Sequence, residues 1–370
     1  MHRGATDPST RTDTATSAVD LFDVDDLAPS ALRRSWLVAA VLLVIGASLL
    51  GLMIGPVTIA PHRVLLELLD HLPGVRVHSG LDPLEANIVW QVRAPRVVLG
   101  LLVGAMLAIA GGSYQGAFRN PLADPYLLGA AAGGGLGATI AIIAGVQATS
   151  NNSALLPVAA FVGALLAVAL TYGVGAAYGG DRGPASLILA GVAVASFLTA
   201  VQTYLQQRNA DTIREVYSWI LGQLGGATWH DVIILLPYVT ITSAVLLATR
   251  RTLDVLSVGD TEATTLGLNP RRVRIIVVIA ASLGTAAAVA VSGLIGFVGI
   301  IVPHTVRLLT NHSYRVVLPL ALLGGGAFLV LTDLLARTLM QPSEIPIGVV
   351  TAFLGAPFFL VVLRLSRVDR

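Results

Sequence analysis

RAPRVVLGLLVGAMLAIAGGSYQGAFRNPLADPYLLG, residues 93–129, decides the class of fold. From 94 to 114 the stretch is apolar apart from Arg96 and Ser113, and a helix of that length, at about 1.5 Å per residue, crosses the roughly 30 Å hydrocarbon core of a bilayer. Arg119, Asn120 and Pro121 then break the run, and a second begins at Pro125. Working outward, apolar runs recur at 36–55, 125–145, 154–178, 185–206, 231–249, 273–292, 294–309, 316–336 and 346–364. Together they predict an all-α polytopic membrane protein of about ten transmembrane helices. The run at 294–309 is short, which reads as a tilted or re-entrant segment whose irregular backbone must be satisfied by protein or a water-filled cavity. Composition agrees, since the 370 residues are 55% hydrophobic and 12% charged, where soluble domains carry about 25% charge. Only short loops remain, so no large soluble domain fits.

Residues 1–34 are polar, with an acidic cluster at Asp20, Asp23, Asp25 and Asp26. They read as a disordered cytoplasmic tail, followed by a transmembrane domain over 35–370. The first apolar run starts only at Trp36 and lacks a well-placed small-residue cleavage site, so it is expected to remain as the first helix. With the N-terminus inside, the flanks of the runs place fourteen arginines in the cytoplasm and seven outside (Arg63, Arg76, Arg93, Arg96, Arg208, Arg214 and Arg337). That two-to-one ratio puts both termini in the cytoplasm and leaves seven exceptions in need of a reason. Gly129, Gly133 and Gly137, with Gly112 and Gly116 before them, form rows at helix-packing spacing.

Two zero counts narrow the chemistry. There is no cysteine and no lysine, all 23 basic residues being arginine, so thiolate metal sites, disulfides and Schiff bases are excluded. A Walker A loop needs its lysine on the phosphates, which puts any ATP hydrolysis on another chain. No Ser/His, His/Glu or paired-Asp set has credible spacing inside a run, so no catalytic residues are expected. His304 and His312 have no convergent partner, and no metal site is expected. An ion-coupled secondary transporter is the rival from another class, and it would place ionisable groups near the midplane. Only Asp333 lies well inside a run, whereas Asp124, Asp181, Glu215, Asp231, Asp260, Glu262 and Glu344 fall at the edges.

The longest loop on the cytoplasmic side, RRTLDVLSVGDTEATTLGLNPRR (250–272), has internal structure. Leu253 and Leu256 share a face, Gly259 breaks the pattern, Asp260 is placed to cap a second short helix, Ala263 and Leu266 share a face again, and Gly267, Asn269 and Pro270 close it. Two short amphipathic helices joined by a glycine suit docking to another protein. The alternative is a loop lying in the headgroups through its arginines, and acidic Asp254, Asp260 and Glu262 weigh against that. On the other side, 213–222 reads as a short surface helix, with Tyr217 and Trp219 suited to an interfacial belt. Gln202, Tyr204, Gln206 and Gln207 read as a solvated helix end.

Four segments in order, 93–129, GDTEATTLGL (259–268), GFVGIIVPHTVRLL (296–309) and SEIPIGVVTAFLGAPFFLVVL (343–363), resemble the FecCD-type permeases of bacterial ABC importers, which take up ferric siderophores, haem and cobalamin. The similarity runs from about 36 to 366 and leaves only the tail unmatched. It implies a multi-pass protein of the bacterial inner or plasma membrane, embedded in lipid and without nucleic-acid partners. It further implies a second permease copy, two ATPase subunits that hold the ATP and Mg (no cofactor being expected on this chain), an extracytoplasmic substrate-binding protein, and a metal-chelate cargo. Ferric siderophore is the leading expectation, with cobalamin or haem as alternatives.

By the same resemblance, Gly259, Asp260, Glu262, Ala263, Leu266 and Gly267 couple to the ATPase. Arg93 and Arg96 (in WQVRAPR) and Arg337 (in DLLARTL) meet the binding protein on the outer rim, where charge complementarity steers encounter; interfacial snorkelling is the alternative. Asn120 and Leu122, with Pro184 and Ala185, match the cytoplasmic gate. At the second pair the sequence departs from the hydroxyl-bearing residues of the vitamin B12 permease.

Overall fold

The computed structural model describes residues 32–71, 74, 77–146, 154–179 and 184–368; the tail expected over 1–34 lies almost entirely outside them. Ten apolar helices are present among the described residues, matching the ten runs: α1 (Arg34–Met53), α4 (Ala94–Phe118), α5 (Ala130–Ile143), α6 (Leu155–Gly179), α7 (Pro184–Arg208), α9 (Trp229–Ala248), α12 (Pro270–Ser292), α13 (Val298–Leu309), α14 (Tyr314–Thr338) and α15 (Ile347–Val368). Five short helices join them: α2 (Pro61–Asp70), α3 (Pro83–Asn87), α8 (Ile213–Ile220), α10 (Arg250–Val258) and α11 (Asp260–Thr265). A π-helical turn over Ile88–Arg93 leads into α4. The sequence reading did not foresee α2, α3 or this turn.

α4 is the axis of the bundle, buried on nearly every face from Leu99 to Phe118, with α12, α13, α14 and α9 around it. Because lipid is as apolar as a helix face, close association rests on small residues that let backbones approach. A side chain at Gly104 would strike the carbonyl of Gly325 on α14, and one at Gly111 that of Gly299. Likewise Gly133 and Gly137 of α5 lie against Gly163 and Ala159 of α6. Gly129, read as the first member of that row, instead adopts φ +84° at the N-cap of α5, a conformation that favours glycine. α1 presents most of its length outward and buries only Ala47 and Gly51, against α14.

Two helices are short, and a common feature explains both. α5 begins at Ala130, not at 125, because Asp124 accepts the Tyr126 N–H (2.8 Å) and Pro121 and Pro125 break the segment. α13 spans only twelve residues, preceded by an irregular stretch over 293–297. The Tyr126 hydroxyl donates to the Ile295 carbonyl and accepts from its N–H, both at 3.0 Å. Both backbone groups of Ile295, in the middle of the non-helical stretch, are thus satisfied from within the protein.

Candidate coupling surface and charge clusters

At one end of the bundle α9 runs into α10 and α11, two short helices set against the ends of α4, α12 and α14. Leu253, Leu256 and Ala263 are fully buried, so the inward face of the pair is apolar as the periodicity indicated. Leu266 does not share it. α11 ends at Thr265, Gly267 takes the left-handed conformation (φ +79°), and the Leu268 N–H closes on the Ala263 carbonyl at 2.9 Å. That turn rotates Leu266 outward, where it is 71% exposed beside Val258 at 70%. Glu262 and Gly267 are exposed as well, and Gly259 is buried. The cap of α11 also departs from the expectation. Gly259 is the N-cap residue and Asp260 the first helical residue, its carboxylate turned away from the backbone.

That carboxylate meets Arg274 of α12 in a forked pair, Nη1 to Oδ2 at 2.8 Å and Nη2 to Oδ1 at 2.6 Å, the strong geometry for arginine and carboxylate. Arg119 adds an ion pair at 3.5 Å. The Arg274 hydrogen bonds hold the Asp260 carboxyl below the ordinary carboxylate range, against the opposing effect of partial burial. Asp254 of α10 accepts the Tyr314 N–H (2.6 Å) and the Ser313 hydroxyl (2.9 Å), and so caps α14 with a negative charge at the positive end of its dipole. Asn269, read from sequence only as part of the loop's end, caps α12 by accepting the Arg272 N–H at 3.0 Å.

The 119–129 segment starts beside this end. Arg119 closes α4 in the left-handed region (φ +50°), and the Asn120 side chain accepts the Leu122 N–H at 3.0 Å, a local turn. Leu122 is exposed, and so is Ala185 in the first turn of α7; the Pro184 side chain lies outside the described residues. Deeper in, Gln115 donates to the carbonyls of Gly299 (2.9 Å) and Ala123 (3.3 Å) and accepts from Arg307 at 2.6 Å.

The opposite end corrects the sequence reading. Arg93, Arg96 and Arg337 were expected on an exposed rim, yet they are 3%, 7% and 2% exposed. Arg93 donates to the carbonyls of Leu52 (2.8 Å), Met53 (2.9 Å) and Val57, and Arg337 to that of Gly51 at 2.7 Å. They satisfy the unpaired carbonyls at the C-terminus of α1, where cations are favoured. Arg96 binds Asp333 through Nε (3.0 and 3.1 Å) and Nη2 (2.9 Å), and its Nη atoms also hold Glu344 at 2.9 Å. Hydrogen bonding from Arg96 lowers the pKa of Glu344, which lies in the α14–α15 loop. All three guanidinium groups are thus engaged within this chain. Asp333, the one carboxylate read inside a span, is bound by Arg96 with Arg337 3.7 Å away, so it is not the free proton-carrying group the secondary-transporter reading needed.

Comparison with known proteins now decides the family: the FecCD transport family matches residues 42–365. The chain belongs to that family. This FecCD chain is 39% identical over 371 residues to a cobalamin import system permease of Halobacterium salinarum, covering 90% of this chain and 97% of that one. It is 36% identical to the hemin transport system permease of Yersinia pestis, over 76% of this chain and 85% of the relative. An Fe(3+)-citrate import system permease of Bacillus subtilis is 35% identical, over 89% and 94%. Among solved structures, a metal-chelate type ABC transporter in an inward-facing conformation superposes with a TM-score of 0.76 at 29% identity, covering 90% of this chain and 99% of that one. The FecCD chain is therefore a multi-pass membrane transport permease and not an enzyme, and its family implies ATPase and permease partners.

Three further residues of this FecCD chain fall differently from their sequence readings. Trp219 is 8% exposed and packs inward with Val216 against α5 and α6, so that of the two aromatic residues only Tyr217 is exposed. Gln202 and Gln206 are buried, and Gln202 donates to the Thr139 hydroxyl at 3.0 Å. Arg274 and Glu344 were not singled out as site residues. The spacing of Asp333 and Arg337, four apart on one helix, was a signal for the outer cluster that could have been read.

Proposed function

We propose that this permease is the transmembrane subunit of an ATP-driven importer for a metal chelate, with α10 and α11 as its docking surface for the ATPase. The observation that carries the reading is the α10–α11 pair: an apolar inner face fixed to three transmembrane helices, and an outer edge that leaves Val258, Glu262 and Leu266 to solvent. Large exposed apolar side chains flanking an acidic one, next to helices that cross a membrane, suit insertion into a groove of a soluble partner. The missing lysine fits, because the nucleotide site then lies on that partner. The arginine ratio of fourteen to seven supports a cytoplasmic docking end and cytoplasmic termini.

A second copy of the chain and an extracytoplasmic binding protein complete the assembly, and Asn120, Leu122, Pro184 and Ala185 form the cytoplasmic gate. With Arg93, Arg96 and Arg337 turned inward, the outer rim is left to Arg63, Arg208 and Arg214. The cargo reading is ferric siderophore, with a corrinoid or haem as the alternatives that the relatives carry. The test is reconstitution with the neighbouring ATPase and binding protein in liposomes. Uptake of one labelled chelate that requires ATP is expected; uptake driven by an ion gradient with no ATPase present would overturn the reading.

A further inference from the structure

Asp260 is where three elements meet. It is the first residue of α11, its carboxylate is held in a fork by Arg274 of α12, and Arg119 at the end of α4 lies 3.5 Å away. Arg274 does a second thing with the same guanidinium. Its Nε donates to the Ala117 carbonyl at 2.9 Å, one of the last carbonyls of α4, which have no partner within the helix. All three nitrogens of Arg274 are therefore engaged, two on the coupling helix and one on the end of α4, and the side chain is largely buried.

The last turn of α4 is held equally firmly from the other side. Gln115, two residues before Ala117, is bound to the Gly299 and Ala123 carbonyls and to Arg307 of α13. The next residues after this turn are Arg119, Asn120 and Leu122. Hydrogen bonds thus run from the exposed coupling helix to the start of the 119–123 loop and on to α13; Arg274 carries them from α11 to α4, and Arg119 adds only the longer ion pair to the same carboxylate.

We infer that Arg274 is a positioning residue for transport: it fixes the last turn of α4 and the 119–123 loop to α11, so that a displacement of the coupling helix by its partner moves that loop. The inference rests on the ATPase-docking reading above. A lysine cannot replace the arginine, because one ammonium does not fork a carboxylate and reach a carbonyl in a different direction at once. Asp254 holds α10 to the start of α14 in a parallel way, but no bond from it leads to α4. Loss of the Asp254 contact therefore leaves the 119–123 loop attached to α11.

The absence of cysteine makes a direct test available in the full-length chain. Spin labels are placed at Pro121→Cys and Thr265→Cys, both exposed and neither at Leu122 or Leu266, and the distance distribution is measured in lipid nanodiscs with and without ATPase and nucleotide. The inference predicts a narrow distribution that nucleotide leaves in place, because loop and helix move together, and in Arg274→Gln a broad one that nucleotide shifts, because α11 then moves without the loop. Arg274→Lys is expected to broaden it partly. In the unlabelled, assembled complex the ratio of cargo imported to ATP hydrolysed should fall about tenfold in Arg274→Gln. A defect of folding would instead lower the amount of complex and leave that ratio alone.

An Arg274→Gln distribution as narrow as that of the parent overturns the clamp, whether or not the ATPase binds. If the parent distribution is narrow and Arg274→Gln broadens it, but ATPase and nucleotide leave the Arg274→Gln distribution unmoved, the clamp stands and the docking reading fails.

Discussion

At one end of the bundle Arg96 grips Asp333 with side chains 8% and 5% exposed; at the other Arg274 grips Asp260 in a similar fork, but with the carboxylate 39% exposed. Bond lengths do not separate the two pairs, and solvent does. Inside the bundle, removing one partner strands a charge that water cannot reach, so the outer cluster answers for the integrity of the fold. At the coupling end water can replace much of what is lost, so the same kind of contact contributes little to stability. Its place between α11 and the end of α4 is what gives it consequence.

The largest effect follows from breaking the buried member. Asp333→Ala leaves Arg96 with Glu344 alone and Arg337 with no carboxylate, and is expected to destabilise the protein by about 3–5 kcal/mol. Heat- or detergent-induced unfolding of the purified chain measures this directly. A variant as stable as the parent would show that the cluster is wet, and the contrast between the two ends would disappear. Next in size is Arg93→Gln, which removes the charge-assisted bonds to the carbonyls ending α1 and should cost roughly 1.5–3 kcal/mol in the same assay. The amide reaches one of those carbonyls at most, so parent-like stability of Arg93→Gln would mean that the carbonyls are satisfied in some other way.

How much of this was legible beforehand divides along the same line. The ten spans could be read because a bilayer demands long apolar runs, and the bounds of α10 and α11 because glycine, proline and asparagine mark helix ends locally. The direction of Arg93, Arg96 and Arg337 could not. An arginine at the edge of an apolar run looks the same in sequence whether it snorkels out or turns in. Here the π-helical turn at 88–93 alters the helical register just before α4, and the partners of Arg96 lie 237 and 248 residues away. Leu266 failed for a nearer reason: its face was assigned by helical spacing, but the helix stops one residue earlier. Ala263, inside the helix, was placed correctly by that spacing.

The contrast sharpens at the coupling end with Leu266→Asp. A residue this exposed should change stability by no more than about 0.5 kcal/mol, while ATP-dependent uptake falls because the apolar contact with the partner is lost. Glu262→Arg should behave the same way, and a double variant should show no added loss of stability. Should either variant unfold the chain, the outer edge of α11 is part of the core and not a docking surface. Should both transport normally, the coupling assignment fails even though the helix pair is correctly placed.

The smallest effect concerns pH, and Glu344 is the group that reports it, since it sits at the boundary between the two regimes. It is bound to a buried arginine, yet its own side chain is 39% exposed. Hydrogen bonding from Arg96 lowers its pKa below the ordinary 4.5, so the folded state binds the proton less readily than the unfolded chain does. Its contribution to stability is therefore fully present above pH 4.5 and is lost as pH falls through the lowered folded value. Stability curves of the parent and Glu344→Gln should accordingly converge in acid and separate as pH rises past that range. The separation should be small, because solvent screens a group this exposed, and added salt should shrink it further. Curves that stay parallel at every pH would mean that Arg96 gains nothing from the Glu344 charge and that Asp333 alone holds it. The outer cluster would then be a dry pair with no wet edge, and its difference from the coupling end would be one of kind and not of degree.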